Sequence, residues 1–196
     1  MKERILTLLL FLAPCFLPLT VAQGLSEQEI IQKMSVAAEA IRTVRCDFTQ
    51  TRHSKMLKNP QVSKGKMSCQ QPDKLRWEYT SPKASAIVLN GTDVTIDNGQ
   101  GTNSKGQGFI REMARMIMNS VAGKYLTDGK AFQVSAKEMP TEYVATLIPL
   151  RKEMKRMYST LVLHFDTKQA TVTKVELLEK DGDRTIIELH GIHINE

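Results

Sequence analysis

Leu75, Trp77 and Tyr79 alternate along a short segment bracketed by Pro72 and Pro82, and this alternation constrains the fold more than any other feature of the chain. Successive side chains of a strand point to opposite faces, so these three share one face. Proline carries no backbone donor and marks where a ladder stops. The tryptophan is the only one in 196 residues. A strand with that much apolar area on one side belongs to a sheet with one face covered.

The same period-two pattern recurs along the chain. Segments 44–52, 62–70, 74–80, 85–90 and 92–97 read as strands, and after an interruption so do 131–137, 142–150, 158–166, 171–179 and 184–194. Asn90-Gly91 predicts a two-residue hairpin turn with positive φ at both central positions. Asp181-Gly182-Asp183 predicts the last turn. Strands joined by such short connections make an antiparallel meander, not a strand–helix alternation, so the expected class is mainly β with α (α+β).

Two helices interrupt the pattern. Ser26 and Glu29 form a capping box, with Leu25 and Ile30 as the accompanying staple. Ile30, Met34, Ala37, Ala38 and Ile41 then recur at helical spacing. The second helix spans 109–122, and Gly123 stops it. Phe109, Met113, Met116, Ile117 and Ser120 share one side, and Arg111, Glu112 and Arg115 the other. Residues 98–108, with four glycines, precede it as a mobile loop, and the charged residues 151–156 read as a solvated connection. Methionines 113, 116 and 118 support two readings: ordinary core packing, or an adaptable surface for variable apolar partners.

Residues 1–22 read as a secretory signal: Lys2 and Arg4, an apolar centre broken by Pro14 and Pro18, then Thr20-Val21-Ala22. Cys15 follows Pro14 rather than a small residue, so it belongs to the discarded signal and is not a lipid-bearing cysteine. Residues 23–196 suffice for one domain with its own core. The net charge of +6 is spread out, with no basic stripe interleaved with aromatics, which argues against nucleic acid and allows mild attraction to anionic membranes. Cys46 and Cys69 lie on the two arms of a hairpin turning near 57–60. An even pair in an oxidising compartment reads as a disulfide, with two buried thiols as the alternative.

Catalytic chemistry leaves little trace. The nucleophile elbow, the H-E-x-x-H helix and the phosphate loop are all missing from the sequence. His190 and His193, three apart on a strand, are expected on opposite faces and so not as a metal pair. His53 and His164 look isolated, and no metal or cofactor is expected.

The spaced set Phe48-Thr49-Gln50, Gly65, Pro72, Trp77, Pro82 and Asn90-Gly91 resembles the LolA family of periplasmic lipoprotein carriers. The resemblance implies an incomplete antiparallel β-barrel (half-barrel), with helices covering the concave face as a lid. It implies an acyl-chain cavity lined by Phe48, Leu75, Trp77, Tyr79, Ile87 and Ile96, under a lid carrying Met34, Ala38, Phe109, Met113, Met116 and Ile117. The implied function is a periplasmic carrier, not an enzyme, that shuttles lipoproteins from the inner to the outer membrane. Its implied partners are acylated lipoproteins, an inner-membrane ABC-type release complex and an outer-membrane acceptor, met as a monomer. The alternative is a lipid-binding or lipoprotein-sensing module on the same fold. Two departures stand out. Val94-Thr95-Ile96 occupies a strand that is often aromatic in the family, and Gln71 stands where many carriers have an arginine that latches the lid.

Overall fold

The structure, a computed structural model, describes residues 24–97 and 107–196; of 107–110 and 113 it describes the backbone alone. The expected signal, 1–22, and the glycine-rich segment 98–106 lie outside the described residues. The chain begins with α1 (Glu27–Glu39), then β1 (Thr43–His53), β2 (Gln61–Gln70), β3 (Lys74–Ser81), β4 (Ser85–Asn90) and β5 (Asp93–Asp97). Next come α2 (Gln107–Val121), a 3-10 turn at Lys124–Leu126, β6 (Phe132–Glu138) and β7 (Glu142–Pro149). A short α3 (Lys152–Met157), β8 (Tyr158–Asp166), β9 (Val172–Glu179) and β10 (Arg184–Ile194) complete it.

All ten strands join one antiparallel sheet in the order β5-β4-β3-β2-β1-β10-β9-β8-β7-β6. Each half is a meander, and the pairing of β1 with β10 sews the halves together. β5 and β6 are the two ends and do not pair with each other, so the sheet stays open as a half-barrel. The chain between those ends must cross from one edge to the other. Within that connection α2 lies on the inner side and so roofs it.

Local chemistry explains where the elements begin and turn. Ser26 accepts from the Glu29 amide while Glu29 accepts from the Ser26 amide at 2.7 Å, so the capping box is complete. The Glu29 carboxyl is held below its usual range, first by the Ser26 hydroxyl and then by the Ser26 amide. Leu25 stays 40% exposed. β3 is bracketed by Pro72 and Pro82 as expected, and both follow cis peptide bonds. The β4–β5 turn sits one residue later than expected. Asn90 pairs with Asp93, so Gly91 and Thr92 are central, and positive φ is needed at Gly91 alone (+63°), as in a turn with glycine first.

One histidine expectation is corrected by a β-bulge. The β1–β10 register passes from Arg45↔His193 to Asp47↔His190, so one extra residue of β10 is accommodated there. The bulge turns both His190 and His193 to the exposed outer face. His164 is not isolated: its Nδ1 lies 3.0 Å from a Glu142 oxygen and its Nε2 3.1 Å from a Glu176 oxygen. Glu176 in turn pairs with Arg184, so this part-buried network ties β7, β8, β9 and β10 on the outer side.

Candidate functional site: a roofed apolar face

Alternation along each strand becomes rows across the sheet. One inner row runs Val44–Cys69–Leu75–Leu89–Val94, the next Cys46–Met67–Trp77–Ile87–Ile96, and a third Phe48–Gly65–Tyr79. The expected cavity residues Phe48, Leu75, Trp77, Tyr79, Ile87 and Ile96 therefore do share one face. Phe48, Leu75 and Trp77 are essentially buried, while Tyr79, Ile87 and Ile96 are half-buried.

The aromatic centre of this face depends on a missing side chain. The rings of Phe48 and Trp77 stack with centroids 3.9 Å apart, and Tyr79 meets Phe48 edge-on at 5.5 Å. Such pairs add about 0.5–1.5 kcal/mol beyond the area they bury. Phe48 can lie flat because its neighbour across the ladder is Gly65. A Cβ there would fall on the Glu78 carbonyl and within 2.5 Å of Phe48 Cζ. The Tyr79 hydroxyl donates to Gln50 Oε1 at 3.1 Å, and burial pushes it above its usual range.

The other half of the inner face went unread in the sequence. Ile187, Val175, Leu163 and Ala145 form one row, and Leu177, Leu161, Leu147 and Val134 the next. These residues alternate like the rest; the family motifs simply stop before them. α2 spans both halves, touching β3, β4 and β5 on one side and β9 on the other. Met116, Ile117, Ser120 and Val121 face Trp77, Val175, Leu177, Ile187 and Leu189 across a void of about 10 Å³. Two polar atoms are buried without hydrogen-bond partners among the void's lining residues: the Trp77 indole nitrogen and the Ser120 hydroxyl.

The residues expected to form a lid divide between two helices. Met116 and Ile117 lie over the face as expected, and Ala114, Met118 and Val121 are buried beside them. The side chains of Phe109 and Met113 lie outside those described. Met34 and Ala38 are buried, but α1 packs on β6 and the 3-10 turn, roofing the far end of the sheet rather than the Trp77 region. Gln71, at the latch position, has both amide atoms buried and makes no side-chain hydrogen bond.

The cysteine expectation is also corrected. Cys46 faces Met67 and Cys69 faces Val44, so the two are diagonal neighbours rather than an opposed pair, and both are free thiols. Burial pushes Cys46 up to about 12 and Cys69 up to about 11, so both sit as small apolar core groups. Among the described residues, the one group of carboxylates close enough to share a cation is Glu179, Asp181 and Asp183. Arg52 lies 3.4 Å from both Glu179 and Asp183, which gives the cluster a structural partner.

An open antiparallel half-barrel, its apolar inner face roofed by a crossing helix, defines the class of α+β fold to which this chain belongs. The chain belongs to the outer membrane lipoprotein carrier protein LolA family, whose model matches residues 39–196. That family is one of carriers rather than enzymes. An outer-membrane lipoprotein carrier protein of Neisseria meningitidis serogroup C is 26% identical over 190 residues, covering 94% of this chain and 86% of the relative. One from Methylococcus capsulatus is 39% identical over 56 residues, or 29% of this chain and 27% of that one. Among solved structures, MucB aligns with a TM-score of 0.51 at 11% identity, covering 87% of this chain and 59% of MucB.

Proposed function

We propose that this protein is a periplasmic carrier that takes the acyl chains of lipoproteins into the space between α2 and the inner sheet face, and shuttles them from the inner to the outer membrane. The observation that carries the reading is the roofed apolar face itself. The void between α2 and the sheet is about 10 Å³, against roughly 300–1,000 Å³ for ordinary ligand pockets. Cargo therefore enters only when α2 lifts away and its methionines are replaced by acyl chains.

Magnitudes favour this design. Burial is worth about 0.8 kcal/mol per methylene, so a sixteen-carbon chain prefers a bilayer to water by roughly 12 kcal/mol. An exposed patch does not offset that, whereas an enclosed cavity does. Closing again over Trp77 and Met116 recovers apolar contact for the empty protein, which makes release feasible. The empty carrier competes with its own cargo for the same surface. On this reading residues 1–22 direct export, an inner-membrane ABC-type complex loads the carrier, and an outer-membrane acceptor unloads it.

The test is release. Purified protein is added to spheroplasts making a labelled triacylated lipoprotein, and the supernatant is assayed for a soluble complex. A one-to-one complex that forms only with acylated cargo is expected. If no lipoprotein is released but phospholipids still shift Trp77 emission, the fold serves a different lipid and the shuttle reading is lost.

A further inference from the structure

The β1–β2 hairpin ends in an apolar tip that nothing among the described residues covers. Met56 is 93% exposed, and Leu57 and Val62 are 45% and 50% exposed. The tip is nevertheless built, not loose. The Ser54 hydroxyl accepts from the Met56 amide at 3.3 Å and the Ser54 carbonyl from the Leu57 amide at 3.1 Å. Lys55 ties its base to the β9–β10 turn, its amide donating to Asp183 Oδ1 at 3.0 Å and its ammonium to the Asp181 carbonyl at 2.6 Å. The last β2–β3 pair is Lys64↔Ser81, so the hairpin overhangs β3 by the rest of β2 and the whole connection.

Its charge is one-sided. Between Phe48 and Pro72 there is no Asp or Glu, while Arg52, Lys55, Lys58, Lys64 and Lys66 are cations. Arg52 and Lys55 answer the acidic β9–β10 turn. Lys58, beside Leu57 at the tip, and Lys64, which pairs with Thr49 three residues down the ladder, are exposed.

We propose that this tip is a membrane-contact element, with Met56 and Leu57 entering the interface of an anionic phospholipid surface while Lys58 and Lys64 meet the phosphates. Two or three side chains on a narrow projection bury far less than the ~800 Å² per partner of a specific protein interface. A bilayer interface demands no matching groove, and it rewards apolar tips and nearby lysines together. Each signal alone is weak, which gives reversible contact rather than anchoring. The tip adds to the carrier reading the end of the half-barrel that meets the membrane, but it stands on its own geometry.

The experiment is flotation of the cargo-free purified protein with vesicles of phosphatidylglycerol and, separately, of phosphatidylcholine. Binding to the anionic vesicles that weakens as salt rises, with little binding to the neutral ones, is expected. Met56→Ser with Leu57→Ser should weaken it about tenfold, and Lys58→Glu severalfold. Val36→Ser, at an equally exposed apolar position on α1 (55%), should change nothing. All these positions are exposed, so thermal unfolding should be unaltered. Failure of the unaltered protein to bind anionic vesicles, or full binding by the double variant, overturns the proposal. So does a double variant that binds vesicles normally but fails to hand cargo to the outer membrane, since the tip would then dock a protein. Lipoprotein release from spheroplasts should be normal in the double variant. Loss of release in the unaltered protein counts against the carrier reading and leaves the vesicle result standing.

Discussion

Gly65 shows how much one atom decides here. The position faces the Phe48 ring across β1 and β2, and a methyl group there has nowhere to go except into the Glu78 carbonyl or the ring. Gly65→Ala should therefore cost about 1–3 kcal/mol, the range for overpacking a core, read as a lower urea midpoint with an unchanged slope. An unaltered midpoint would mean that Phe48 and Trp77 are not packed as described. Asp183 makes the second residue-scale prediction. The Ser54 side chain and then the Lys55 amide hold its carboxyl below the ordinary value of 3.8, with burial acting the other way. A depressed folded value means that the ionised form favours the fold. Its contribution is complete above the unfolded-state value and is lost as pH falls through the folded one. Thermal stability measured from pH 5 downward should thus decline less steeply in Asp183→Asn than in the unaltered protein. Parallel declines would sink that assignment.

At the scale of elements, α2 matters most, because it is at once core and roof. Met116, Met118, Ala114 and Val121 are buried in the core, yet Ile117 is only half-buried and faces the void over Trp77. Ile117→Asp should leave the fold in place, since its carboxylate can still reach water, while putting charge where acyl chains would lie. Uptake of acylated cargo should fall by at least tenfold, the equivalent of about 1.4 kcal/mol, with a much smaller effect on unfolding. Normal uptake would remove α2 from the cargo site. The capped start of α1 and the strands were legible, because capping and pleating act over a few residues. By contrast, α2 begins at Gln107 rather than 109, and the expected solvated connection 151–156 holds the short helix α3. Of the two readings of the methionines, Met116 and Met118 take the first as buried core residues.

On the scale of the whole molecule, the open sheet has a centre and two ends. β1 and β10 are paired on both sides, whereas β5 and β6 are paired on one side only, and β5 is five residues long. Hydrogen exchange should be slowest along the β1–β10 seam and much faster in β5, with α2 exchanging faster than the seam if it lifts to admit cargo. Uniform protection would argue for a sheet that opens only as a unit.

Sequence by itself determined the alphabet of this protein: which segments pleat, which coil, where the prolines and glycines stop them, and that half of one face is greasy enough to need a cover. Those properties are set by neighbours within a few positions. Only the tertiary structure decided how distant segments meet. The bulge that turns His190 and His193 to one face depends on β1. The carboxylates around His164 come from β7 and β9. The diagonal offset of Cys46 and Cys69 follows from the β1–β2 register. The second half of the roofed face, from Val175 to Leu189, meets Trp77 and α2 only because α2 crosses the sheet to lie on it. Pairing register and crossing direction are settled by the packing of the whole sheet, and no local stretch of chain contains that information.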